Sequence, residues 1–167
     1  TPEDIAKKHG LIRLEESDDY VRLFEPRGLH WGEPNTIQAI ADIAAEMRGR
    51  CDGYQIEIGN ITGPDRKNHY SKSHQGFNFD MAYPYADGNS GALDHEGKTS
   101  SPYRRNPAEV DYDKLYALLD IISAHPRNQH VLLGDGVNKL LVSHIKKANL
   151  APLSKVQHYH GHDDHIH

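Results

Sequence analysis

The chain has 167 residues, with 19 Lys+Arg against 24 Asp+Glu, 13 His and one Cys, enough to close one core and too few for two full domains. Its apolar fraction of 37% is spread in runs too short to cross a bilayer, and a net charge of −5 with no Lys/Arg block longer than a pair argues against nucleic acid as a partner. Cys51 stands alone, so there is no intrachain disulfide and no cysteine-based zinc site, and any metal would rest on His and carboxylate.

The chain opens at Thr1 without the basic stretch and apolar core of a signal peptide. Residues 1–33 read as an irregular opening segment, with an alternating patch at Tyr20-Val21-Arg22-Leu23-Phe24 and turn chemistry at Glu25-Pro26-Arg27-Gly28. Ile37, Ile40, Ala41, Ala44 and Met47 predict a helix over 36–48, capped by Asn35 or Thr36 and stopped by Gly49. Tyr54 to Ile58 alternates as a half-buried strand before Gly59, and a polar loop runs from Gly63 to Lys72. Phe77 to Tyr83 alternates again, with Phe77, Phe79 and Met81 on one side and Asn78, Asp80 and Ala82 on the other.

Residues 84–112, rich in Gly, Ser, Asp, Asn and Pro, read as a surface insertion at the rim of a site. Leu115, Leu118, Leu119 and Ile122 predict a helix over 111–124, ended by His125-Pro126; Val131 to Leu133 is a short buried strand; Val137, Leu140, Leu141 and Ile145 mark a third helix over 137–148. The tail from Val156 to His167 is strand-like, and the last ten residues hold five histidines.

That tail mixes His with Asp, Gly and Ile, unlike an expression tag. Extended backbone at His165-Ile166-His167 sends both imidazoles to one face and Ile166 to the other. A His-x-His pair is also an ordinary exposed-strand feature, and His74 with Asp80, six residues on, is also readable as a loop histidine and a surface carboxylate. Taken together they supply the three N/O ligands that catalytic zinc takes beside an open position: His74, Asp80 and His167. His165 is then a spare imidazole near the reacting atoms, while His162 and the Asp163-Asp164 pair are placed to orient the rings or to form a solvated acidic turn.

The segments Ile58-Gly59-Asn60-Ile61-Thr62, Ser73-His74-Gln75, Asp80 and Gly161-His162-Asp163-Asp164-His165-Ile166-His167 resemble the penicillin-insensitive murein endopeptidases. These belong to a superfamily of zinc peptidases with lysostaphin, D-alanyl-D-alanine peptidases and the hedgehog signalling domain. The resemblance spans residues 54–167, with a weaker echo at Trp31-Gly32-Glu33-Pro34. It implies a single α+β domain over 1–167 whose small antiparallel sheet carries a Zn2+ site in a groove flanked by helices. His74, Asp80 and His167 are the implied ligands, and His165 and His162 the implied catalytic histidines. His69 is the nearest candidate for a further histidine before the first ligand, and Gln75, Asn78, Asp163 and Asp164 are candidates for a supporting or substrate-facing role.

The implied activity is hydrolysis of an amide bond in peptidoglycan cross-links of the D-Ala–meso-diaminopimelate type, which places the protein in the periplasm or outside the cell. Stem peptides are the implied partner. Tyr83 to Asn89 and Arg104-Arg105 are candidates for gripping such a peptide, or else part of an ordinary insertion, and Trp31 reads as a partly buried anchor. Three features depart from the family pattern: His74 to Asp80 is one residue short, Asn78 replaces an acidic residue, and His69 lies farther upstream than its counterpart. The family pattern also continues past His167, so a terminal carboxylate there is expected beside the metal. The competing readings are a metal-stabilised recognition domain without catalysis, and a non-haem iron oxygenase, which wants a carboxylate two residues after the histidine, where this chain has Gly76.

Overall fold

Helix-period and strand-period stretches assemble, over the described residues, an α+β structure of four α-helices and small sheets; the strand expected to be half-buried at Tyr54 to Ile58 is buried throughout its paired part, Ile56–Ile58. The computed structural model describes residues 1–88, 90–94, 96–99, 102–128, 130–159 and 164–167. In chain order the elements are α1 (Pro2–Lys8), β1 (Ile12–Arg13), β2 (Tyr20–Arg22), β3 (Trp31–Gly32), α2 (Pro34–Arg50), β4 (Ile56–Ile58), β5 (Met81–Ala82), α3 (Tyr112–Ala124), β6 (Val131–Leu133), α4 (Asp135–Lys147), β7 (Val156–His158) and β8 (His165–Ile166). None of the described helices is long and apolar enough to cross a membrane.

The central sheet has the order β2-β4-β5-β8. β4 with β5 and β5 with β8 are antiparallel, as expected, but β2 runs parallel to β4, so the sheet is mixed. Parallel neighbours need a crossover, and α2, lying between β2 and β4 in the chain, provides it. α4 does the same for β6 and β7, which form a separate parallel pair. The core lies between the sheet and α2 and α3, and draws on Ile40 and Met47, Ile56 and Ile58, Leu115 and Leu118, and Met81 and Ile166.

α2 starts at Pro34, before the expected cap, because proline at the first helical position is preset for helix and gives up only an N–H that would be unpaired there. Gly49 stays inside α2. α3 starts where the Asp111 side chain accepts from Lys114 N, and it stops at His125-Pro126 as expected.

The first 33 residues hold more regular structure than expected: α1, three short strands, and a cluster in which Ala6 and Leu11 bury Trp31. The strand expected over Phe77 to Tyr83 is reduced to Met81–Ala82. Up to Gly76 the chain belongs to a loop anchored elsewhere, with the Gly76 carbonyl accepting from Glu33 N at 2.9 Å, and Phe77 stands 68% exposed rather than facing the core.

Candidate metal centre

His74 sits in a loop, and side chains rather than a strand ladder hold it in place. Buried Asn68 donates through Nδ2 to the Ile61 carbonyl at 3.2 Å, while its Oδ1 accepts from the backbone N–H of Tyr70 at 2.8 Å and of Ser71 at 3.2 Å. His74 Nδ1 lies 3.2 Å from that same Ile61 carbonyl. A carbonyl only accepts, so the Nδ1 proton is held there and the lone pair of Nε2 faces the opposite way. Arg66 closes the far end of the loop, donating to the carbonyls of Gln75 at 3.0 Å and His9 at 2.6 Å and pairing with Glu33.

Asp80 follows on the segment entering β5, where its N–H donates to Asn60 O at 3.0 Å and its carbonyl accepts from Gly59 N at 2.7 Å. The third donor arrives on β8. Ile166 pairs with Met81 and is buried in the core, which turns His165 and His167 to the other face, as the period of two requires. Leu132 exchanges two backbone hydrogen bonds with His167, at 2.8 and 3.1 Å. The His167 carbonyl oxygen is therefore engaged by Leu132 N.

Three donor atoms converge. His74 Nε2 and His167 Nδ1 are 3.1 Å apart, and Asp80 Oδ1 lies 3.0 Å from His167 Nδ1 and 3.3 Å from His74 Nε2. Ligands bound at about 2.0–2.1 Å in a tetrahedron stand about 3.3 Å from one another, so the observed triangle is one that a tetrahedral ion fits with little rearrangement. These three residues form the group able to hold a metal ion among the described residues. Burial alone would raise the Asp80 pKa, yet the hydrogen bonds from His167 and His74 and the adjacent imidazoles hold it well below the usual carboxylate range.

Around the triangle, His165 Nε2 lies 3.6 Å from Asp80 Oδ1, and His165 Nδ1 lies 2.7 Å from Asp164 Oδ1. Burial works to lower the His165 pKa, but the Asp164 hydrogen bond and the charges of Asp80 and Asp164 outweigh it and raise it. Arg105 Nη2 stands 3.6 Å from the second Asp164 oxygen. The Tyr103 ring stacks on His165 with centroids 5.2 Å apart, and its buried hydroxyl has no hydrogen-bond partner among the described residues. Burial first, and then the Asp80 charge, push the Tyr103 pKa well up, so the phenol keeps its proton. A Cβ on Gly59 would lie 1.7 Å from the Tyr103 oxygen, so the tyrosine reaches this position only because residue 59 is glycine.

The structure thus brings together His74, Asp80, His165, His167 and Asp164. It leaves His69 exposed and outside the donor group, and Gln75 exposed with its backbone carbonyl taken by Arg66. Asn78 is half-buried beside the group, its Nδ2 donating to Ser73 O at 3.3 Å. His162 and Asp163 lie outside the described residues.

Of the two readings of Tyr83 to Asn89, a grip on the peptide or part of an ordinary insertion, burial of Tyr83 and Tyr85 in the core removes both aromatics from a surface grip. Arg104 is a brace of the insertion, paired with Asp87 at 2.7 Å and with Glu109 and lying 4.6 Å over the Tyr85 ring. Asn68, Arg66, Leu132 and Tyr103 went unrecognised in the sequence. Their partners are backbone carbonyls, backbone N–H groups, the Glu33 carboxylate far off in the chain or a distant ring, which leave no local spacing signal.

Two imidazoles and a carboxylate converging within a few ångströms are a donor set that metal-centred hydrolases use. The chain belongs to the penicillin-insensitive murein endopeptidase family, whose model matches residues 9–167. Membership indicates a peptidase that acts on murein. A search of curated proteins finds no match to the chain.

Proposed function

We propose that the chain is a zinc-dependent peptidoglycan endopeptidase, acting in the periplasm or outside the cell, that hydrolyses an amide bond in the peptide cross-links of murein, of the D-Ala–meso-diaminopimelate type. The observation carrying this reading is the 3.0–3.3 Å triangle of His74 Nε2, Asp80 Oδ1 and His167 Nδ1 in a chain of a murein endopeptidase family. Zinc is preferred because it accepts mixed N/O donors tetrahedrally and leaves a fourth position open. When bound, the ion would supply a Lewis acid for the scissile carbonyl and an acidified water.

The protein's own groups do the rest. His74, Asp80 and His167 hold the ion, with the Ile61 carbonyl setting the His74 tautomer. His165, its Nδ1 tied to Asp164, presents Nε2 toward the reacting atoms, where it donates a hydrogen bond to the developing oxyanion or passes a proton to the leaving amine. The protonated Tyr103 hydroxyl is a second donor on the same side. His162 is assigned to the same catalytic face from the sequence motif.

The test is digestion of purified cross-linked peptidoglycan with and without a chelator, with released fragments read by mass spectrometry. Loss of cross-linked dimers, blocked by chelator and restored by zinc, is the expected result and identifies the bond. Intact sacculi with a zinc-loaded protein would replace this reading with that of a recognition domain.

A further inference from the structure

Phe24 adopts the left-handed backbone conformation, with φ at 58° and ψ at 38°. A bulky side chain is strained there, and such strain persists only where neighbouring contacts fix it, which happens most often near functional sites. Three contacts fix Phe24: its N–H donates to Thr99 Oγ1 at 3.1 Å, its carbonyl accepts from Arg27 N at 2.9 Å, and the Arg27 guanidinium lies 4.0 Å over its ring.

Arg27 is itself placed in an uncommon way. Arg22, Arg48, Arg66 and Arg104, partly buried as Arg27 is, each pair with an Asp or Glu, whereas Arg27 has no carboxylate partner among the described residues. Its side-chain hydrogen bond, from Nη1 to Asn60 Oδ1, is long at 3.4 Å. What holds the guanidinium is a pair of aromatic rings, Phe24 at 4.0 Å and Tyr70 at 4.1 Å, both within the range of a cation–π contact. Tyr70 belongs to the loop that delivers His74, four residues upstream of it, and its N–H is pinned by Asn68 Oδ1 at 2.8 Å.

From Phe24 the contacts continue to the catalytic strand. The Phe24 and Tyr103 rings meet edge to face, with centroids 5.1 Å apart and planes at 84°, and Tyr103 stacks on His165. One line of contacts therefore runs from the His74 loop through Tyr70, Arg27, Phe24 and Tyr103 to the His165 imidazole. The Tyr103 hydroxyl has no hydrogen-bond partner among the described residues, so the packing of its ring decides where that hydroxyl points.

We propose that Arg27 is a positioning residue for Tyr103: resting on Tyr70 of the metal loop, it holds the Phe24 ring against Tyr103 and so fixes the Tyr103 hydroxyl beside His165. The proposal rests on the endopeptidase reading above for the catalytic use of that hydroxyl. It gives a cation without a carboxylate partner a task inside the protein, not a grip on a substrate anion.

The experiment compares the wild type with Arg27→Met and Arg27→Lys, alone and combined with Tyr103→Phe, in two measurements. In kinetics of the zinc-loaded protein on soluble cross-linked stem-peptide dimers, Arg27→Met should lower kcat about five-fold, within the worth of the one hydrogen bond it positions, and leave KM within about two-fold. Arg27→Lys keeps the charge but not the planar stacking surface, and it should recover part of the loss. In the Tyr103→Phe background Arg27→Met should cost less than about two-fold, because the hydroxyl it serves is gone. The second measurement, NMR of the His165 ring protons with and without zinc, needs no turnover: Arg27→Met should shift them as the Tyr103 ring moves away, while Tyr103→Phe, which keeps the ring, should leave them close to the wild type. Metal content and the circular dichroism of each preparation check that the centre and fold are retained. A rise in KM at unchanged kcat would make Arg27 a direct grip on a substrate anion and overturn the proposal. Full additivity of Arg27→Met with Tyr103→Phe, or His165 protons that do not move, would overturn it equally. Dimers left intact by the wild type would sink the endopeptidase reading, and the ring-proton shifts would still decide whether Arg27 positions Tyr103.

Discussion

The loop carrying His74 and the strand carrying His165 and His167 deliver imidazoles to the same carboxylate, Asp80, but hold them by different means. In the strand, backbone pairing to β5 and to Leu132 and burial of Ile166 orient both rings at once. In the loop, each constraint is a separate side-chain contact: Asn68 to Ile61, Arg66 to Gln75 and His9, and the Ile61 carbonyl to the His74 ring. A ladder tolerates many side chains, provided that the core residue stays apolar. A loop depends on particular polar groups, and each of them is a point at which the site can be broken selectively.

The largest expected effect removes the point where the two segments meet. Asp80→Ala takes away the oxygen that faces all three imidazoles, and it should abolish both metal retention after dialysis and cleavage of cross-linked murein. A variant that keeps stoichiometric metal would show that the two segments do not share an ion. On the strand side, His165→Ala should lower kcat by about 10²–10⁴ while metal content stays at the wild-type level. An unchanged rate would reduce His165 to a spectator of the Asp80 carboxylate.

The loop side has an acid-sensitive backing. Leu29, His30 and Trp31 run beside it, with Ile61 N donating to Leu29 O at 2.8 Å and Trp31 N donating to Thr62 O at 3.1 Å. Burial first, with the Arg22 charge adding to it, pushes the His30 pKa down to about 4, against 6.5 when unfolded. The unfolded chain therefore binds the proton first as pH falls, and stability is lost between the unfolded and folded values. From pH 7 to 4 this group alone should cost about 3 kcal/mol. Urea unfolding at both pH values should show that loss in the wild type and a reduced one in His30→Gln.

Smaller again is Asn68→Ala, which frees the loop without touching a ligand and should weaken metal binding about 10–100-fold, measured by competition with a chromophoric chelator. Equal affinity would mean that the Ile61 carbonyl alone suffices to hold His74. Least severe is Tyr103→Phe, expected to lower kcat up to about ten-fold, the worth of one hydrogen bond of about 0.5–1.5 kcal/mol, with metal binding intact. A loss of metal binding instead would make Tyr103 a packing support for His165 and nothing more.

Much of this arrangement was legible before any coordinates. The period of two at His165-Ile166-His167 placed both imidazoles opposite a core isoleucine, and Ile166 is buried as that required. The three- and four-residue spacing of Ile40, Ala44 and Met47 marked α2, and Leu115, Leu118 and Ile122 marked α3. Phe77 misled because its alternation with Phe79 and Met81 was continuous in the sequence, while Gly76 ties the preceding chain to Glu33 and turns the aromatic outward. The 84–112 stretch misled in the opposite sense, since a composition typical of loops concealed Tyr85 and Ser90, both buried. The parallel pairing of β2 with β4 left no local mark, because short strands read alike in either direction.

The sequence by itself determined the donor types and the segments that carry them, because helix and strand periods and the absence of paired cysteines act locally along the chain. The tertiary structure decided which atoms meet. Asn68 with Ile61, Leu132 with His167 and Tyr103 against Gly59 are contacts between residues whose spacing carries no periodic signal. The line of contacts from Tyr70 through Arg27, Phe24 and Tyr103 to His165 joins segments far apart in the chain. Those meetings follow from burying a shared core and satisfying the polar groups left beside it, a condition on the whole fold and not on any stretch of it.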